Sequence, residues 1–342
     1  MKVYIIPTKN IMTTSFYYSL LEKVFKAAGF SVIMCDEKKR FHPEKKNDII
    51  VSGNAYTTVK LWVKGYRLIC TWFQGVEPEE RMMQGCSSFK VFLHRILEYI
   101  SLRKSTFIFL VSNAMKMHYE QQYGLRIDDS KCAIIPCFNE QKPFENCFLQ
   151  SSKVPYSFVY SGGMGVWQCF EQTLEVYGLL KKLIPNATLS IYTYQVDLAQ
   201  SIVQKKGIKD VVVQYIPKEK MNEALMNKMY GFVLREDNIV NRVATPTKLS
   251  NYIANGVIPI CSSVVEDFSK VTNTFKHVIH VSSNDTASIV DEVYKKVMTI
   301  TQSYSAKNHL QESQLLFDTY YSEKNYIDIV SKKIQQVITP YD

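Results

Sequence analysis

The chain has 342 residues, a formal net charge of +9 and an apolar content of 46%, which is ordinary for a globular protein. It is long enough for two domains of normal size, and no stretch reaches the ~18 uninterrupted apolar residues of a membrane-spanning helix. The positive charge indicates an anionic partner, and since no signature of a nucleic-acid-binding module is present, a nucleotide-sugar or an acidic lipid remains.

The apolar run at residues 3–6 predicts a first strand, because it is too short for a signal peptide. We therefore expect a cytoplasmic protein. Its eight cysteines are scattered through apolar contexts and form no C-x-x-C pair, which predicts buried reduced thiols and disfavours a zinc site.

Short apolar strands alternate with helical periodicity through the first half, a pattern typical of a parallel doubly wound sheet. The predicted strands are residues 3–6, 31–34, 48–51, 67–71, 107–111 and 133–136, with helices that include 15–28 and 113–122. The stretch 89–104, FKVFLHRILEYISLRK, is amphipathic with basic ends. It could lie on an anionic membrane surface, although a helix packed in the core would explain its apolar positions equally well.

A polar, irregular stretch at 139–155 predicts a linker, and a second alternation follows it. Its predicted strands are residues 157–160, 188–192, 211–215, 231–234, 257–260 and 277–281, with helices at 171–183, 195–206 and 317–337. We therefore predict an N-terminal Rossmann-like domain over 1–152, a C-terminal Rossmann-like domain over 153–316 and a terminal segment over 317–342.

The segment from residue 230 to 260 carries the most chemical information. It is YGFVLREDNIVNRVATPTKLSNYIANGVIPI: a buried strand, a charged loop, a Thr-Pro-Thr-Lys turn, a short helix and a second apolar strand. Thr245 or Thr247 could cap the helix, and Pro246 suits its first turn. The first amides of the helix, with Arg242 and Lys248 beside them, predict a site for an anion such as a diphosphate. Solvated cations in an ordinary α/β loop would explain the same residues.

A second turn, SGGMG at 161–165, follows a predicted strand and precedes a helix. Gly162 and Gly163 would let a phosphate approach the backbone closely, although a tight turn without a ligand needs the same glycines.

These two segments, together with VSNAMK at 111–116 and IIPCFN at 134–139, resemble motifs of GT-B glycosyltransferases, especially the family 4 enzymes that build bacterial capsule and other surface polysaccharides. The matches follow the family's order along nearly the whole chain. The resemblance implies the GT-B fold, in which two doubly wound Rossmann-like domains face a central cleft and a C-terminal helix crosses back to the first domain. It also implies retaining transfer of a hexose from a nucleoside-diphosphate donor on the second domain.

Such transfer needs a stabiliser for the departing diphosphate, either a metal ion on an Asp-x-Asp motif or fixed cations. The sequence has no Asp-x-Asp motif, so we expect no metal and no cofactor. On this resemblance we assign catalysis to Arg242, Lys248 and Glu236. The residues predicted to bind the donor are Gly162, Gly163, Arg235, Thr245, Thr247, Asn251 and, near the base, Ile216.

The chain departs from the family where two glutamates usually stand eight positions apart. The resemblance places Val243 and Asn251 there, and neither is a carboxylate. Asn251 could still bind ribose or sugar hydroxyls, and Glu236 or Asp237 could take the role of the first glutamate.

Acceptor contacts are expected on the first domain. Gln74 and Gly75 follow a predicted strand and should reach the carboxyl edge of its sheet, where a sugar would bind. Glu77 could act as a base, although acidic residues are common at helix starts for electrostatic reasons alone. Thr13, in the first βα turn, is a further candidate.

The resulting hypothesis is a metal-independent, retaining glycosyltransferase that extends a bacterial glycan carried on a lipid. We expect it in the cytoplasm, with peripheral contact to an anionic membrane surface as a further hypothesis and no nucleic-acid partner. Two alternatives stay open: a non-catalytic GT-B subunit that supports a partner enzyme, and a GT-B nucleotide-sugar epimerase. The epimerase is disfavoured because its chemistry needs acidic and histidine groups that the sequence does not place around the cleft.

Overall fold

The computed structural model describes residues 1–7, 11–35 and 42–338, with only the backbone considered for 11–15. It divides into two compact units. The first contains Met1–Cys137, Val243–Thr245 and the segment from Ser322 onward, and the second contains Phe138–Arg242 and Pro246–Tyr321. None of the helices in the described ranges is long and apolar enough to cross a bilayer.

The first unit is a parallel sheet with helices on it. Its strands are β1 (Lys2–Ile6), β2 (Ser31–Met34), β3 (Ile49–Ser52), β4 (Ile69–Trp72), β5 (Phe107–Leu110) and β6 (Cys132–Ile134), in the order β2-β1-β3-β4-β5-β6. Its helices are α1 (Ile11–Ala27), α2 (Ala55–Val63), α3 (Glu77–Met83), α4 (Ser88–Lys104) and α5 (Asn113–Tyr123). The central strands β3, β4 and β5 are buried throughout, which explains their nearly continuous apolar sequences.

The second unit repeats this architecture with a different strand order. Its strands are β7 (Ser157–Ser161), β8 (Thr188–Tyr192), β9 (Val211–Gln214), β10 (Tyr230–Val233), β11 (Ile258–Ser262) and β12 (Ile279–Val281), in the order β12-β11-β10-β7-β8-β9. Its helices are α6 (Phe170–Leu183), α7 (Val196–Lys205), α8 (Met221–Leu225), α9 (Ile239–Arg242), α10 (Thr247–Ala254), α11 (Glu266–Thr272), α12 (Thr286–Gln302) and α13 (Ala306–Asp318). The order reverses between β7 and β10, which is where ligands bind in sheets of this kind.

The last helix, α14 (Glu323–Ile338), belongs to the first unit. It packs on α1, where Lys23 and Glu323 form an ion pair of 2.6 Å. Lys333 Nζ also donates to the carbonyl oxygens of Asp129 (2.8 Å) and Cys132 (3.0 Å). The terminal helix therefore returns to the first unit, as the family resemblance implied.

All the strands predicted from the sequence are present, and their ends shift by at most about two residues, the usual uncertainty of such boundaries. All eight cysteines are free; five of them are buried, and Cys35, Cys86 and Cys137 are half-buried. The stretch at 139–155 was predicted to be a linker, and this prediction is wrong because the stretch packs into the second unit. There Cys147 and Phe148 are buried and Phe144 N donates to Ala254 O at 2.8 Å.

A glycine in β10 fixes the position of α10. A Cβ atom at Gly231 would lie 2.5 Å from the ring of Tyr252, so the ring can cross the strand only because residue 231 has no side chain. The hydroxyl of Tyr252 then accepts from Ser161 N at 2.9 Å, at the end of β7. These contacts attach α10 to the carboxyl edge of the sheet.

Replacing Gly231 by alanine should therefore lower the free energy of unfolding by about 1–3 kcal/mol, because the added methyl group overlaps the Tyr252 ring. Urea unfolding followed by circular dichroism measures this change. The matched control is Gly178→Ala in α6, where a Cβ would meet Ile208 at an ordinary 3.6 Å and alanine favours the helix. Equal stability of the two variants would contradict the tight contact at Gly231.

Candidate functional site

The residues singled out in the second half of the sequence converge where the strand order of the second sheet reverses. The strands β7 and β10 are hydrogen-bonded neighbours. The SGGMG turn follows β7, Arg235 follows β10 and Lys248 lies in the first turn of α10. The local sequence therefore delivers glycines and two cations to the same edge of one parallel sheet.

Lys248 points at the glycine turn. Its Nζ donates to Gln168 Oε1 at 2.9 Å and lies 4.5 Å from the centre of the Tyr160 ring, within the range of a cation–π interaction. Gly162 has a φ of +123°, and a Cβ there would lie 3.1 Å from the ammonium nitrogen. Both the backbone conformation and the close approach of Lys248 thus require glycine at this position.

Arg235 is the second cation of the site, and it is only 6% exposed. Its Nη1 donates to the carbonyl oxygen of Trp167 at 3.1 Å, and its backbone N–H donates to Ser262 Oγ at 2.9 Å. The buried Nε has no hydrogen-bond partner. A buried donor without an acceptor is costly, so this nitrogen is available for a ligand.

The two cations influence each other. Burial lowers the pKa of Lys248 well below its ordinary value, and the positive charge of Arg235 lowers this pKa further. Burial also lowers the pKa of Arg235. Within the described ranges no carboxylate forms an ion pair with either residue, and no group of three or more acidic, His or Cys side chains could hold a metal ion. The site therefore carries positive charge that the surrounding protein does not neutralise.

Arg242, which the sequence interpretation placed in this site, lies on the surface instead of beside Lys248. Its Nε and Nη2 donate to the two carboxylate oxygens of Asp237, at 2.6 and 3.0 Å. This pairing raises the pKa of Arg242 and lowers the pKa of Asp237. Glu236 is exposed, and its carbonyl oxygen accepts from Asn241 Nδ2 at 3.0 Å.

The threonines of the Thr-Pro-Thr-Lys turn do not cap α10 as predicted. The helix begins at Thr247, and Pro246 occupies the capping position without a side-chain acceptor. The capping prediction for Thr245 is wrong because its Oγ1 accepts from Cys137 N at 3.0 Å, within the first unit. The first amides of α10 therefore keep no side-chain partner from this turn.

The remaining donor-side candidates lie around the same turn or further along the sheet. Asn251 is half-buried in α10, and its buried Oδ1 has no hydrogen-bond partner. The carbonyl oxygen of Gly163 accepts from the Tyr160 hydroxyl at 2.5 Å, which closes the turn. Ile216 is half-buried beyond the end of β9, and Val243 is fully buried in the first unit.

The acceptor-side candidates belong to the first unit. Gln74 Nε2 lies 3.4 Å from Gly53 O, and Gly75 O accepts from the Tyr119 hydroxyl at 3.1 Å. Glu77 binds Arg81 at 2.7 Å inside α3. The side chain of Thr13 lies outside the described residues.

A buried acid that was not predicted from the sequence is linked to the Gln74–Gly75 loop through Tyr119. Glu98 in α4 is 2% exposed and accepts from the hydroxyls of Tyr119 (3.0 Å) and Tyr123 (2.6 Å). Burial raises the pKa of Glu98 to about 8, against the two tyrosine hydrogen bonds that lower it. Tyr119 donates towards both Glu98 and Gly75, so this network holds the loop. The sequence feature that could have identified Glu98 is that it is the single acid in an otherwise apolar and basic helix.

Comparison with known proteins supports the fold. No protein-family model and no curated protein sequence matches the chain. Sucrose-phosphate synthase from Thermosynechococcus elongatus matches with a TM-score of 0.65 at 12% identity, over 98% of each chain. The pneumococcal O-GlcNAc transferase GtfA, in complex with UDP and GlcNAc, matches with a TM-score of 0.63 at 10% identity, over 86% of this chain and 57% of GtfA.

A mutant of S. aureus TarM, whose complex contains UDP, gives a TM-score of 0.61 at 8% identity, over 86% of this chain and 55% of TarM. The chain therefore spans a little over half the length of GtfA and TarM. At these identities the likeness is one of architecture. With its two six-stranded parallel sheets, it confirms the predicted fold class: the chain has the GT-B fold.

Replacing Lys248 by methionine should raise the free energy of unfolding by about 1–2 kcal/mol at neutral pH, because it removes a half-buried cation beside the buried Arg235. The pKa of Lys248 is lower in the folded state than in the unfolded state, so the unfolded state holds the proton more tightly. The wild-type protein therefore becomes more stable as pH rises, and the stability advantage of the methionine variant shrinks towards the ordinary lysine pKa. Gln168 Oε1 keeps the Tyr160 hydroxyl (3.3 Å) as a partner. Urea unfolding of the ligand-free protein tests this, with the exposed Lys209→Met as control; a less stable Lys248 variant would refute it.

Replacing Glu98 by glutamine should stabilise the protein by about 1–3 kcal/mol at pH 8 and leave it nearly unchanged at pH 5. The wild-type carboxyl has a raised pKa of about 8, so its contribution to stability is lost as pH rises from the unfolded value through 8. Unfolding measured at both pH values tests this, with the exposed Glu175→Gln as control. Parallel pH curves for wild type and the Glu98 variant would contradict it.

Proposed function

We propose that the chain is a glycosyltransferase that moves a sugar from a nucleoside-diphosphate donor to a glycan. The observation that carries this proposal is the pair of the buried Arg235 and the half-buried Lys248 at the strand-order reversal of a GT-B unit. Neither cation has a carboxylate partner among the described residues. A diphosphate is the anion of a size and charge that this arrangement suits. UDP in the complexes of GtfA and TarM supports the same class of ligand.

The two cations would act on the departing diphosphate. Lys248 would place its ammonium on one phosphate and Arg235 its free Nε on another, and the first amides of α10, which begins at Thr247, would donate to the same anion. Negative charge on the diphosphate grows as the bond to the sugar breaks, so fixed cations stabilise the transition state more than the bound donor. This arrangement supplies the role that a metal ion plays elsewhere, and we therefore propose metal-independent transfer.

The other candidates complete the proposal. Asn251, with its free Oδ1, would bind a hydroxyl of the ribose or sugar, Thr247 would contribute at the helix start, and Ile216 would contact the base. Arg242 would contribute as an outer cation only after leaving Asp237. The family resemblance implies retention of configuration, with a donor phosphate oxygen helping to deprotonate the acceptor, and supports extension of a lipid-linked bacterial surface glycan. We propose that this enzyme acts in the cytoplasm. Gln74 and Gly75 would contact that acceptor.

A non-catalytic GT-B subunit is the second candidate, and one observation favours it. The positions of the two family glutamates hold the buried Val243 and the amide Asn251, while Glu236 is exposed and Asp237 is occupied by Arg242. Such a protein would bind a nucleotide without releasing sugar from the donor. Hydrolysis or transfer of a labelled nucleotide-sugar separates the two candidates.

Binding of nucleotides is the direct test of the anion site. UDP, GDP and ADP are tested in turn, and the nucleotide whose base the site accepts should raise the melting temperature of the wild-type protein. The increase should be the same with and without EDTA. Lys248→Met and Arg235→Met should each weaken binding about 10- to 100-fold, the range expected for a charge-assisted hydrogen bond. Isothermal titration calorimetry gives the dissociation constants.

Two variants serve as comparisons for this test. Lys209→Met, a change at an exposed lysine of the same unit, should bind as the wild type does. Arg242→Met should weaken binding less than Lys248→Met, because Arg242 is held by Asp237. No response to any nucleotide, or equal binding by wild type and Lys248→Met, would overturn the proposed site.

A further inference from the structure

The helix α4 exposes a stripe of large apolar side chains. Phe89, Phe92, Leu93 and Ile96 are 68, 57, 42 and 39% exposed. Their spacing of three, four and seven residues places them on one face of the helix. The opposite face carries the buried residues Val91, Glu98, Ser101 and Leu102 and packs on α2 and α3.

This exposure distinguishes two explanations that the amphipathic sequence left open. A helix buried in the core would cover all its apolar positions, but α4 has a covered face and an uncovered apolar face. Met82, at the end of the adjacent α3, adds a further apolar side chain that is 56% exposed. Contiguous exposed apolar surface of this kind marks an interaction site rather than ordinary surface composition.

Positive charge surrounds the stripe. At about 100° per residue, Arg103 and Lys104 lie within about 70° of its centre, and Lys90 lies at its side. All three are exposed, as is Lys60 on the neighbouring α2. The single acid in α2 and α4 is Glu98, which is buried and has a raised pKa of about 8. The described residues of α2 and α4 therefore present cations and apolar groups without exposed negative charge. The partly exposed Glu77 of the adjacent α3 is paired with Arg81 at 2.7 Å.

We propose that α4 docks the protein on an anionic lipid bilayer. The apolar stripe would enter the boundary between headgroups and acyl chains, and the lysines and arginine would contact lipid phosphates. A symmetric dimer through this face is disfavoured, because it would bring Lys90, Arg103 and Lys104 of both copies together. The surface lies on the first unit and needs no enzymatic activity, so the inference goes beyond the proposed function.

Co-sedimentation with vesicles tests the inference. The full-length protein should pellet with phosphatidylcholine vesicles that contain phosphatidylglycerol, and much less with phosphatidylcholine alone. The double variant Phe89→Ser/Phe92→Ser should bind the anionic vesicles at least about tenfold more weakly. The matched control, Leu179→Ser/Leu183→Ser, changes two exposed leucines (37 and 51%) on α6 of the second unit and should bind as the wild type does.

A charge variant separates the two parts of the proposed surface. Arg103→Glu/Lys104→Glu should remove the preference for anionic vesicles, and added salt should weaken wild-type binding in the same way. Equal pelleting of wild type and the Phe89/Phe92 variant would overturn the inference. The inference would also be overturned if the wild-type protein were a dimer that does not pellet with vesicles and the Phe89/Phe92 variant were a monomer. Circular dichroism melting of every variant establishes folding without reference to nucleotide binding, so this test and that of the proposed function fail independently.

Discussion

The second unit is organised around two neighbouring cations, one buried and one half-buried. Arg235 and Lys248 receive only partial compensation, from a carbonyl oxygen of Trp167, the amide oxygen of Gln168 and the face of the Tyr160 ring. Such neutral acceptors offset part of the desolvation of a cation, but they leave its net charge in place. Two like charges held in this way oppose folding, so the surrounding contacts must be strong enough to keep them there.

Those contacts come from short-range features of the sequence. Gly231 lets the Tyr252 ring cross β10, and Tyr252 binds the end of β7, so the helix that carries Lys248 is fixed to the strand that leads to Gly162. Lys248 lies one helical turn before Tyr252 and is therefore aimed by the same anchor. The Phe158 ring stacks on the rings of Tyr230 and Phe232, with ring centres 5.4 Å apart in both pairs, and this packing stabilises β7 against β10. Each buried ring of this kind contributes about 1.5–3 kcal/mol of transfer free energy, enough to offset a local electrostatic cost.

The sequence predicted the architecture well because parallel strands and their helices have distinct periodicities, and it placed Gly162 and Lys248 in one site because both follow strand ends. The sequence could not show which of the two arginines lies beside Lys248. Arg235 and Arg242 both belong to the charged loop, and the short α9 turn, which brings Arg242 onto Asp237, has no strong periodic signal. The stretch at 139–155 was misread because two buried residues, Cys147 and Phe148, are too few to alter its polar composition.

The two units deal with buried charge in opposite ways, and the difference follows from acid–base chemistry. Glu98 can take up a proton, and its raised pKa of about 8 indicates a neutral acid that shares hydrogen bonds with two tyrosines at neutral pH. Arg235 has no such option, since a guanidinium keeps its proton in proteins. Only Lys248 can relieve the repulsion from within, by losing its proton, which is the direction of its lowered pKa. An anion between the two groups would remove the repulsion without that loss, and this is the electrostatic argument for the proposed diphosphate site.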